Sequence, residues 1–168
     1  MANPDAARAY VGLGSNLQQP AHQVRRALQW IGELPHTRLR RHSRLYRTAP
    51  WGVVEQPDFV NAVAEIDTLL QPPDLLDGLL RIERARGRER TRTRWGPRLI
   101  DLDLLLYGDV SCDVPGLCLP HPQLTKRAFV LVPLAELAAQ MSVPGHGSVA
   151  GLLDKVDTTT CVALNEDD

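Results

Sequence analysis

Hydrophobic residues recur along this chain with two different periods, and the changes of period divide it into elements. A period of two is typical of half-buried strands, whereas a period of about 3.6 is typical of helices that cover a core. The first pattern predicts strands over residues 9–16, 37–46, 59–70, 99–107 and 160–164. The second predicts helices between Pro20 and Pro35, between Pro72 and Gly87, and over residues 125–140 and 149–156. Because helices alternate with pairs of strands, the order predicts an α+β fold, a ferredoxin-like sandwich with an antiparallel sheet, helices packed on it, and extra short strands and helices.

The predicted strand over residues 59–70 carries different chemistry on its two faces. One face has Val60, Ala62, Ala64 and Ile66, and the other has Phe59, Asn61 and Val63. A loop over residues 47–58 precedes it, and long loops in compact domains often bind ligands. An aromatic ring two positions from an amide suits a flat heterocycle, which the ring can stack on while the amide forms paired hydrogen bonds. The other interpretation, which this strand alone favours, places Phe59 in the core and Asn61 at a strand edge.

The predicted strand over residues 99–107 presents two carboxylates on one face. Ile100, Leu102, Leu104 and Leu106 point one way, and Leu99, Asp101, Asp103 and Leu105 point the other. Asp101 and Asp103 are therefore roughly 7 Å apart along the strand. Mg²⁺ prefers one or two carboxylates, with waters and substrate phosphates completing its shell. A solvated strand face would explain the pair alone, but the arginines next to it favour a phosphate and metal site.

Positive charge is concentrated just before this strand. Residues 81–98 contain eight arginines and two glutamates. Residues 88–94 have no apolar period, which predicts an exposed, mobile loop that can close over a ligand and exclude water. A genome-wide preference for arginine over lysine would explain the residue type, but it does not explain the clustering.

Composition and charge restrict the class of protein. With 168 residues, 43% hydrophobic and 23% charged, the chain is expected to form a single soluble domain over residues 1–168, with residues 1–8 and 165–168 frayed. A net charge of −1 indicates neither nucleic acid nor an anionic membrane as a partner. No apolar run is long enough to cross a bilayer, and the first eight residues lack the apolar core of a signal peptide, so the expected location is the cytoplasm. The odd number of cysteines, at positions 112, 118 and 161, predicts free thiols.

Two short motifs each allow two interpretations. Gly12 and Gly14 close the first strand, either as a tight strand end or as a phosphate-binding turn, although the rest of a nucleotide-binding fingerprint is missing. His121 lies between Pro120 and Pro122, either as an exposed loop residue or as a ligand held on a rigid backbone.

Taken together, several motifs resemble the family of 6-hydroxymethyl-7,8-dihydropterin pyrophosphokinases. They run in the family's order from about Tyr10 to Ala138, and the most specific is Arg94-Trp95-Gly96-Pro97-Arg98-x-Ile100-Asp101-Leu102-Asp103. The others are Gly12-Leu13-Gly14-Ser15-Asn16-Leu17, Tyr46-x-Thr48-x-Pro50-Trp51-Gly52, Gln56-Pro57-x-Phe59-x-Asn61-Ala62, Ile82-Glu83-x-x-x-Gly87-Arg88-x-Arg90, Pro120-His121-Pro122 and Arg127-x-Phe129-x-Leu131-x-Pro133-Leu134. Gln123 stands where a basic residue is more usual, so it has no assigned role.

The resemblance implies a reaction and a set of site residues. The family transfers the pyrophosphoryl group of ATP to the hydroxymethyl group of the reduced pterin and releases AMP, on the route to folate. By this resemblance, Asp101 and Asp103 would bind two Mg²⁺ ions, and both would be catalytic together with Arg88 and Arg98. The pterin would be bound by Phe59 and Phe129 on its two faces, by the Asn61 amide, and by backbone groups of Thr48, Ala49 and Trp51. ATP would be bound by Glu83, Arg90, Trp95, Arg98, His121 and Arg127.

Other classes of function remain as alternatives. An RNA-binding module could use the arginine window, but the aromatic string typical of such sandwiches does not occur, and the aspartates would repel phosphate without a metal. A catalytically inactive interaction domain is the other alternative. We expect small-molecule substrates, no nucleic-acid or membrane partner, and a monomer. No side chain stands out as a general base, and Asp101 is the first candidate.

Overall fold

The computed structural model describes residues 4–50, 55–85 and 99–165. In these residues the strands are β1 Ala7–Ser15, β2 Thr37–His42, β3 Tyr46–Thr48, β4 Phe59–Thr68, β5 Asp101–Tyr107, β6 Cys112–Val114, β7 Leu117–Leu119, β8 Ser142–Val143, β9 Gly147–Ser148 and β10 Val162–Ala163. The α-helices are α1 Pro20–Gly32, α2 Pro72–Ala85, α3 Ala128–Ala138 and α4 Val149–Leu153.

The main sheet has the order β10-β3-β4-β1-β5, and β2 pairs with the far end of β4. All of these pairings are antiparallel. The short hairpins β6–β7 and β8–β9 lie outside this sheet. This arrangement confirms the predicted α+β sandwich.

Helices cover both faces of the sheet. On one face, α1 and α2 pack against residues that include Val60, Ala62, Ala64 and Ile66 of β4, as the period of two predicts. On α1 the buried residues are Val24, Ala27, Leu28 and Ile31, which recur at helical spacing. Helices α3 and α4 cover the other face, where they pack on residues that include Tyr10, Val63 and Leu105. The candidate site lies at one end of this second face.

The single strand predicted over residues 37–46 is wrong, because regular pairing with β4 is interrupted after His42, where the side chain of Ser43 replaces a backbone acceptor. The Ser43 N–H donates to the Val63 carbonyl at 2.9 Å, and the Val63 N–H donates to Ser43 Oγ at 3.0 Å. The chain then rejoins β4 as β3. Arg47 and Thr48, predicted to begin a loop, therefore pair with β4.

The predicted orientation of Leu106 is also wrong. Tyr10 pairs with Leu106 and Val11 pairs with Leu104, so Leu105 is an extra residue in β5. Such a bulge breaks the alternation of faces. As a result, Leu105 and Leu106 both pack on the α3 side of the sheet, and Tyr107 packs on the α1 side.

Several ends differ from the predicted bounds. The helix predicted over residues 125–140 is a 3-10 turn, Leu124–Lys126, and then α3, because Arg127 has an extended backbone between them. Ala7 and Arg8 belong to β1 and pair with Thr68 and Asp67, so fraying does not include them. The last helix and strand are present but shorter than predicted. Within residues 4–50, 55–85 and 99–165, no helix combines the length and apolar character needed to cross a membrane.

Candidate active site

Residues that are far apart in sequence meet in a row across three strands. Gly14 of β1 pairs with Asn61 of β4 on one side and with Asp101 of β5 on the other. Paired residues of neighbouring strands are about 4.5–5.5 Å apart at their Cα atoms and share one face of the sheet. The amide predicted to bind the pterin and one carboxylate predicted to bind metal are therefore separated by a single strand that has no side chain at that point.

Gly14 has a packing reason to be glycine. A Cβ atom there would lie 2.6 Å from Oδ1 of Asn61 and 3.9 Å from Cδ1 of Phe59. At Gly12 a Cβ atom would meet only the methyl groups of Leu105, at 3.5 Å, which is an ordinary contact. The structure thus favours a tight strand end at Gly14, whose backbone lies directly under the Asn61 amide.

Asn61 is held from the other side by Thr48. Asn61 is 7% exposed, and its Nδ2 donates to Thr48 Oγ1 at 2.6 Å. Because β4 has β1 on one side and β3 on the other, Asn61 is not at a strand edge. Phe59, two residues earlier on the same face, is half-buried and pairs with Thr48, and Ala49 is exposed just after β3. This geometry suits a fixed amide beside an accessible ring.

Arg127 and Phe129 enter the site from α3. Phe129, in the first turn, is half-buried, and Arg127, just before the helix, is 5% exposed. The Arg127 guanidinium carbon is 5.4 Å from the centre of the Phe129 ring, and Nη1 is 3.9 Å from Oδ2 of Asp103. Burial lowers the pKa of Arg127, and the carboxylates of Asp103 and Asp101 oppose that shift. A largely desolvated cation therefore lies between the aromatic residue and the two aspartates.

A cleft of about 460 Å³ opens along β5 on the side of the β6–β7 hairpin. Its polar and charged lining residues are Glu83, Asp101, Asp103, Asp113, Cys118 and His121. Asp101 and Asp103 are half-exposed. In the described parts of the chain, no group of three or more histidine, cysteine, aspartate or glutamate side chains could hold a metal ion by itself. Two accessible carboxylates that leave room for phosphate oxygens are the donor set that suits Mg²⁺, so the residues present fit such an ion.

His121 presents a neutral imidazole to this cleft. Its Nδ1 accepts a hydrogen bond from the Gln123 N–H at 3.1 Å, so the ring proton of the neutral form lies on Nε2. Nε2 is 3.8 Å from Oδ1 of Asp103. Burial and the nearby charge of Arg127 lower the pKa of His121 to about 4, against the opposing effect of Asp101. His121 is therefore placed to donate a hydrogen bond into the cleft.

Glu83, predicted to bind ATP, also anchors the strand that carries the aspartates. It is 2% exposed, and its Oε1 accepts a hydrogen bond from the Leu102 N–H at 2.7 Å. Leu102 lies between Asp101 and Asp103 in sequence. The carboxylate on α2 therefore fixes the segment of β5 from which both aspartates project.

The sequence interpretation gave no role to Asn16, which belongs to this site region. Asn16 is 2% exposed, and its Nδ2 donates to Gln56 Oε1 at 2.8 Å and to the Pro57 carbonyl at 3.0 Å. It ties the end of β1 to the segment that leads into Phe59. The sequence did contain a signal for this role, because Asn16 directly follows Gly14 and Ser15 in a motif of the family.

Five predicted site residues lie outside the described residues, and their roles stay predictions. They are Trp51, Arg88, Arg90, Trp95 and Arg98.

Comparisons with known proteins agree with the resemblance found in the sequence. Residues 10–139 match the family model described as 7,8-dihydro-6-hydroxymethylpterin-pyrophosphokinase (HPPK). A Pseudomonas aeruginosa protein named 2-amino-4-hydroxy-6-hydroxymethyldihydropteridine pyrophosphokinase is 51% identical over 146 residues, which cover 87% of this chain and 90% of that protein. A protein of the same name from Haemophilus influenzae is 43% identical over 157 residues, covering 94% of this chain and 98% of the relative.

A solved structure gives the same fold. Wild-type HPPK-DHPS of Plasmodium falciparum with pteroate aligns with a TM-score of 0.71 at 13% identity, over 92% of this chain and 43% of that one. The chain thus spans less than half the length of that polypeptide. At this identity the likeness concerns the fold alone. The family model and the two bacterial relatives carry the assignment: the chain belongs to the 7,8-dihydro-6-hydroxymethylpterin-pyrophosphokinase family.

Proposed function

We propose that this chain transfers the pyrophosphoryl group of ATP to the hydroxymethyl group of 6-hydroxymethyl-7,8-dihydropterin, giving the pterin diphosphate and AMP in folate biosynthesis. Family membership supports the reaction. The observation that supports this location of the active site is the row Asn61–Gly14–Asp101 across three strands. It brings an amide that can bind a heterocycle within one strand of a pair of carboxylates.

The pterin binds between Phe59 and Phe129. The two half-buried rings come from β4 and from α3, so they can cover the two faces of a flat ring. Beyond its bond to Thr48, the Asn61 amide has a second N–H and a carbonyl oxygen for the polar edge of the pterin. Backbone groups of Ala49 and Trp51 assist there.

Asp101 and Asp103 would hold two Mg²⁺ ions. Bound there, such ions would neutralise charge on the phosphate oxygens and lower the pKa of the attacking hydroxyl. Arg127 adds a desolvated positive charge 3.9 Å from Asp103, and His121 donates from Nε2. ATP is also bound by Glu83, Arg90, Trp95 and Arg98, and Arg88 and Arg98 stabilise charge during transfer.

The reaction is a displacement at the β-phosphorus. The pterin hydroxyl oxygen forms the new bond to the β-phosphorus, the bond from that phosphorus to the oxygen shared with the α-phosphorus breaks, and AMP leaves with that electron pair. The hydroxyl proton leaves the oxygen, with Asp101 as the first candidate to accept it. Such a reaction depends mainly on positioning and charge stabilisation, which are what this constellation provides.

We further propose that the protein acts as a monomer in the cytoplasm on these two small molecules. The co-substrate, ATP, is a cytoplasmic metabolite.

The test is AMP release from ATP, measured with and without the hydroxymethyl dihydropterin and with and without Mg²⁺. We expect AMP only when the pterin and Mg²⁺ are both present. Asp101→Ala should abolish turnover, whereas Asp113→Ala, which removes an exposed carboxylate that lines the same cleft from β6, should leave it nearly unchanged. AMP formation that does not require the pterin, or no AMP under any condition, would refute the proposal.

A further inference from the structure

A cluster of three side chains joins α3 to β3 beside the proposed pterin pocket. The Tyr46 hydroxyl donates to Oε1 of Glu136 at 2.6 Å. Arg44 donates to the same carboxylate twice, from Nε to Oε1 at 2.9 Å and from its backbone N–H to Oε2 at 2.8 Å. We call Tyr46, Glu136 and Arg44 the tyrosine clamp.

The clamp is built from a buried hydroxyl and an ionised carboxylate. Tyr46 is 5% exposed. Burial and the Glu136 carboxylate raise the pKa of Tyr46 to about 12, against the opposing charge of Arg44, so the hydroxyl keeps its proton. Burial alone would raise the pKa of Glu136, but hydrogen bonds from Tyr46 and Arg44 outweigh it and lower that pKa. A charge-assisted O–H···O⁻ bond of this kind is stronger than a bond between neutral groups.

The clamp connects α3, which carries Phe129, to β3, which pairs with the strand that carries Phe59 and Asn61. On β3, Tyr46 pairs with Asn61, and Thr48, two residues further on the same face, bonds to the Asn61 amide. On α3, Glu136 is seven residues after Phe129, which is about two helical turns, so both lie on the same side of the helix. One end of the clamp is therefore fixed to the amide wall and the other end to the wall that carries Phe129.

The distance between these walls matters for a stacked ligand. Stacking depends on dispersion contacts, and a gap of about 0.5–1 Å already loses a quarter to a half of the contact energy. A small displacement of α3 from β3 would therefore weaken binding of a flat ring between Phe59 and Phe129. It would leave the carboxylates of β5 in place, because β5 pairs with β1 on the other side of the sheet.

We infer that the bond from Tyr46 to Glu136 is a positioning device that sets the width of the pterin pocket and thereby the affinity for the pterin. This inference rests on the proposed function, because it requires the pterin to lie between Phe59 and Phe129. Tyr46 and Glu136 are positioning residues and do not touch the reacting atoms.

The chain offers a matched control for the test. Tyr10 is also buried, its hydroxyl donates to Oε2 of Glu65 at 2.8 Å, and Arg41 donates to that carboxylate as well. Tyr10 lies four residues before Gly14 on β1, roughly 13 Å along the strand. The Tyr10–Glu65 bond joins two strands of the sheet, whereas the Tyr46–Glu136 bond joins the sheet to a helix.

The experiment compares Tyr46→Phe with Tyr10→Phe by steady-state AMP release and by thermal melting. Tyr46→Phe should raise KM for the pterin about tenfold, the size expected for one lost hydrogen bond to a charged group, with kcat within about twofold of wild type. KM for ATP should rise less, because Arg127, at the start of α3, is also placed by its ion pair with Asp103 of β5. Tyr46→Phe and Tyr10→Phe should lower Tm by similar amounts, but Tyr10→Phe should leave KM for the pterin unchanged. Glu136→Gln, which keeps an acceptor oxygen for Tyr46, should give a smaller rise than Tyr46→Phe.

Three outcomes separate the inference from the proposed function. If Tyr46→Phe leaves KM for the pterin unchanged, or if Tyr10→Phe raises it equally, the clamp inference is wrong. Should Asn61→Ala raise KM for the pterin while Tyr46→Phe does not, only the clamp inference fails. An Asn61→Ala variant with wild-type KM for the pterin would instead contradict the proposed pterin pocket itself.

Discussion

Replacing Gly14 with alanine is the sharpest test of the site geometry, because it adds one methyl group where the structure has no room. The backbone at Gly14 is not in the left-handed region, so alanine is compatible with the strand. The added Cβ would lie 2.6 Å from Oδ1 of Asn61, about 0.8 Å closer than the 3.4 Å at which ordinary contact begins. The neighbouring amide must therefore move.

The cost of that movement can be derived from the contacts of Asn61. Its Nδ2 is bonded to Thr48 Oγ1 at 2.6 Å, so the amide cannot move away from β1 without compressing or breaking that bond. A buried polar group that loses its partner costs about 1–3 kcal/mol. The same displacement takes the amide away from the proposed pterin edge. We expect KM for the pterin to rise roughly fivefold to a hundredfold, and the free energy of unfolding to fall by about 1–3 kcal/mol from overpacking.

The assay is AMP release at saturating ATP with the pterin titrated, and Gly12→Ala is the control. Its Cβ would meet Leu105 methyl groups at 3.5 Å, so both KM values should stay within about twofold of wild type. The double variant Gly14→Ala/Asn61→Ala should recover the stability lost in Gly14→Ala but should not recover pterin affinity. The reasoning fails if Gly14→Ala binds the pterin as wild type does, or if Gly12→Ala is equally impaired.

Three further predictions concern charged residues, two at the site and one at the other end of the sheet. Glu83→Ala should lower the free energy of unfolding by about 1–3 kcal/mol and reduce kcat, because the Leu102 N–H loses its buried acceptor. Glu83→Gln should retain most of the stability and most of kcat. Chemical denaturation measures the first quantity, and AMP release measures the second. Arg127→Met should raise KM for ATP about tenfold or more and Arg127→Lys less, and an unchanged KM in both would refute a nucleotide role. Burial would raise the pKa of Glu65, but hydrogen bonds from Arg41 and Tyr10 outweigh this effect and hold the pKa below its usual value of 4.5. The stability that this carboxylate provides is therefore present above pH 4.5 and is lost as the pH falls further. Denaturation between pH 3 and 6 should therefore show a flatter decline for Glu65→Gln than for wild type, and parallel declines would contradict this assignment.

Most of the fold could be predicted from the sequence because its elements are strongly periodic. The sandwich and the two faces of β4 followed from a period of two and a helical period. The predictions failed where a local irregularity does not change residue type. Leu104, Leu105 and Leu106 are all apolar, so nothing in their pattern reveals the bulge that reverses Leu106. The sequence does not reveal the break at Ser43 either, because the segments on both sides of it are strands that pair with β4.

The site was less predictable, because its geometry depends on strand register. The sequence indicates that Asp101 and Asp103 share a face and that Asn61 lies two positions from Phe59. It does not indicate that Gly14 separates Asn61 from Asp101, since that follows only from the pairing of three strands. The bond from Asn61 to Thr48 has the same origin. The identities of the site residues came from the family resemblance, and their spatial order came from the sheet.

The two glycines of the first motif show why such register matters for interpreting a sequence. As letters they are equivalent, and both would be attributed to the same turn. In the sheet, Gly12 is covered by Leu105, whose methyl groups would still accommodate a Cβ atom, whereas Gly14 lies directly beneath the Asn61 oxygen. A methyl group therefore tests different interactions at the two positions, core packing at Gly12 and, at Gly14, the placement of the amide proposed to bind the pterin. If the motif were a phosphate-binding turn, alanine at either position would lower the affinity for ATP. The two alanine variants therefore distinguish the interpretations that the motif alone left open.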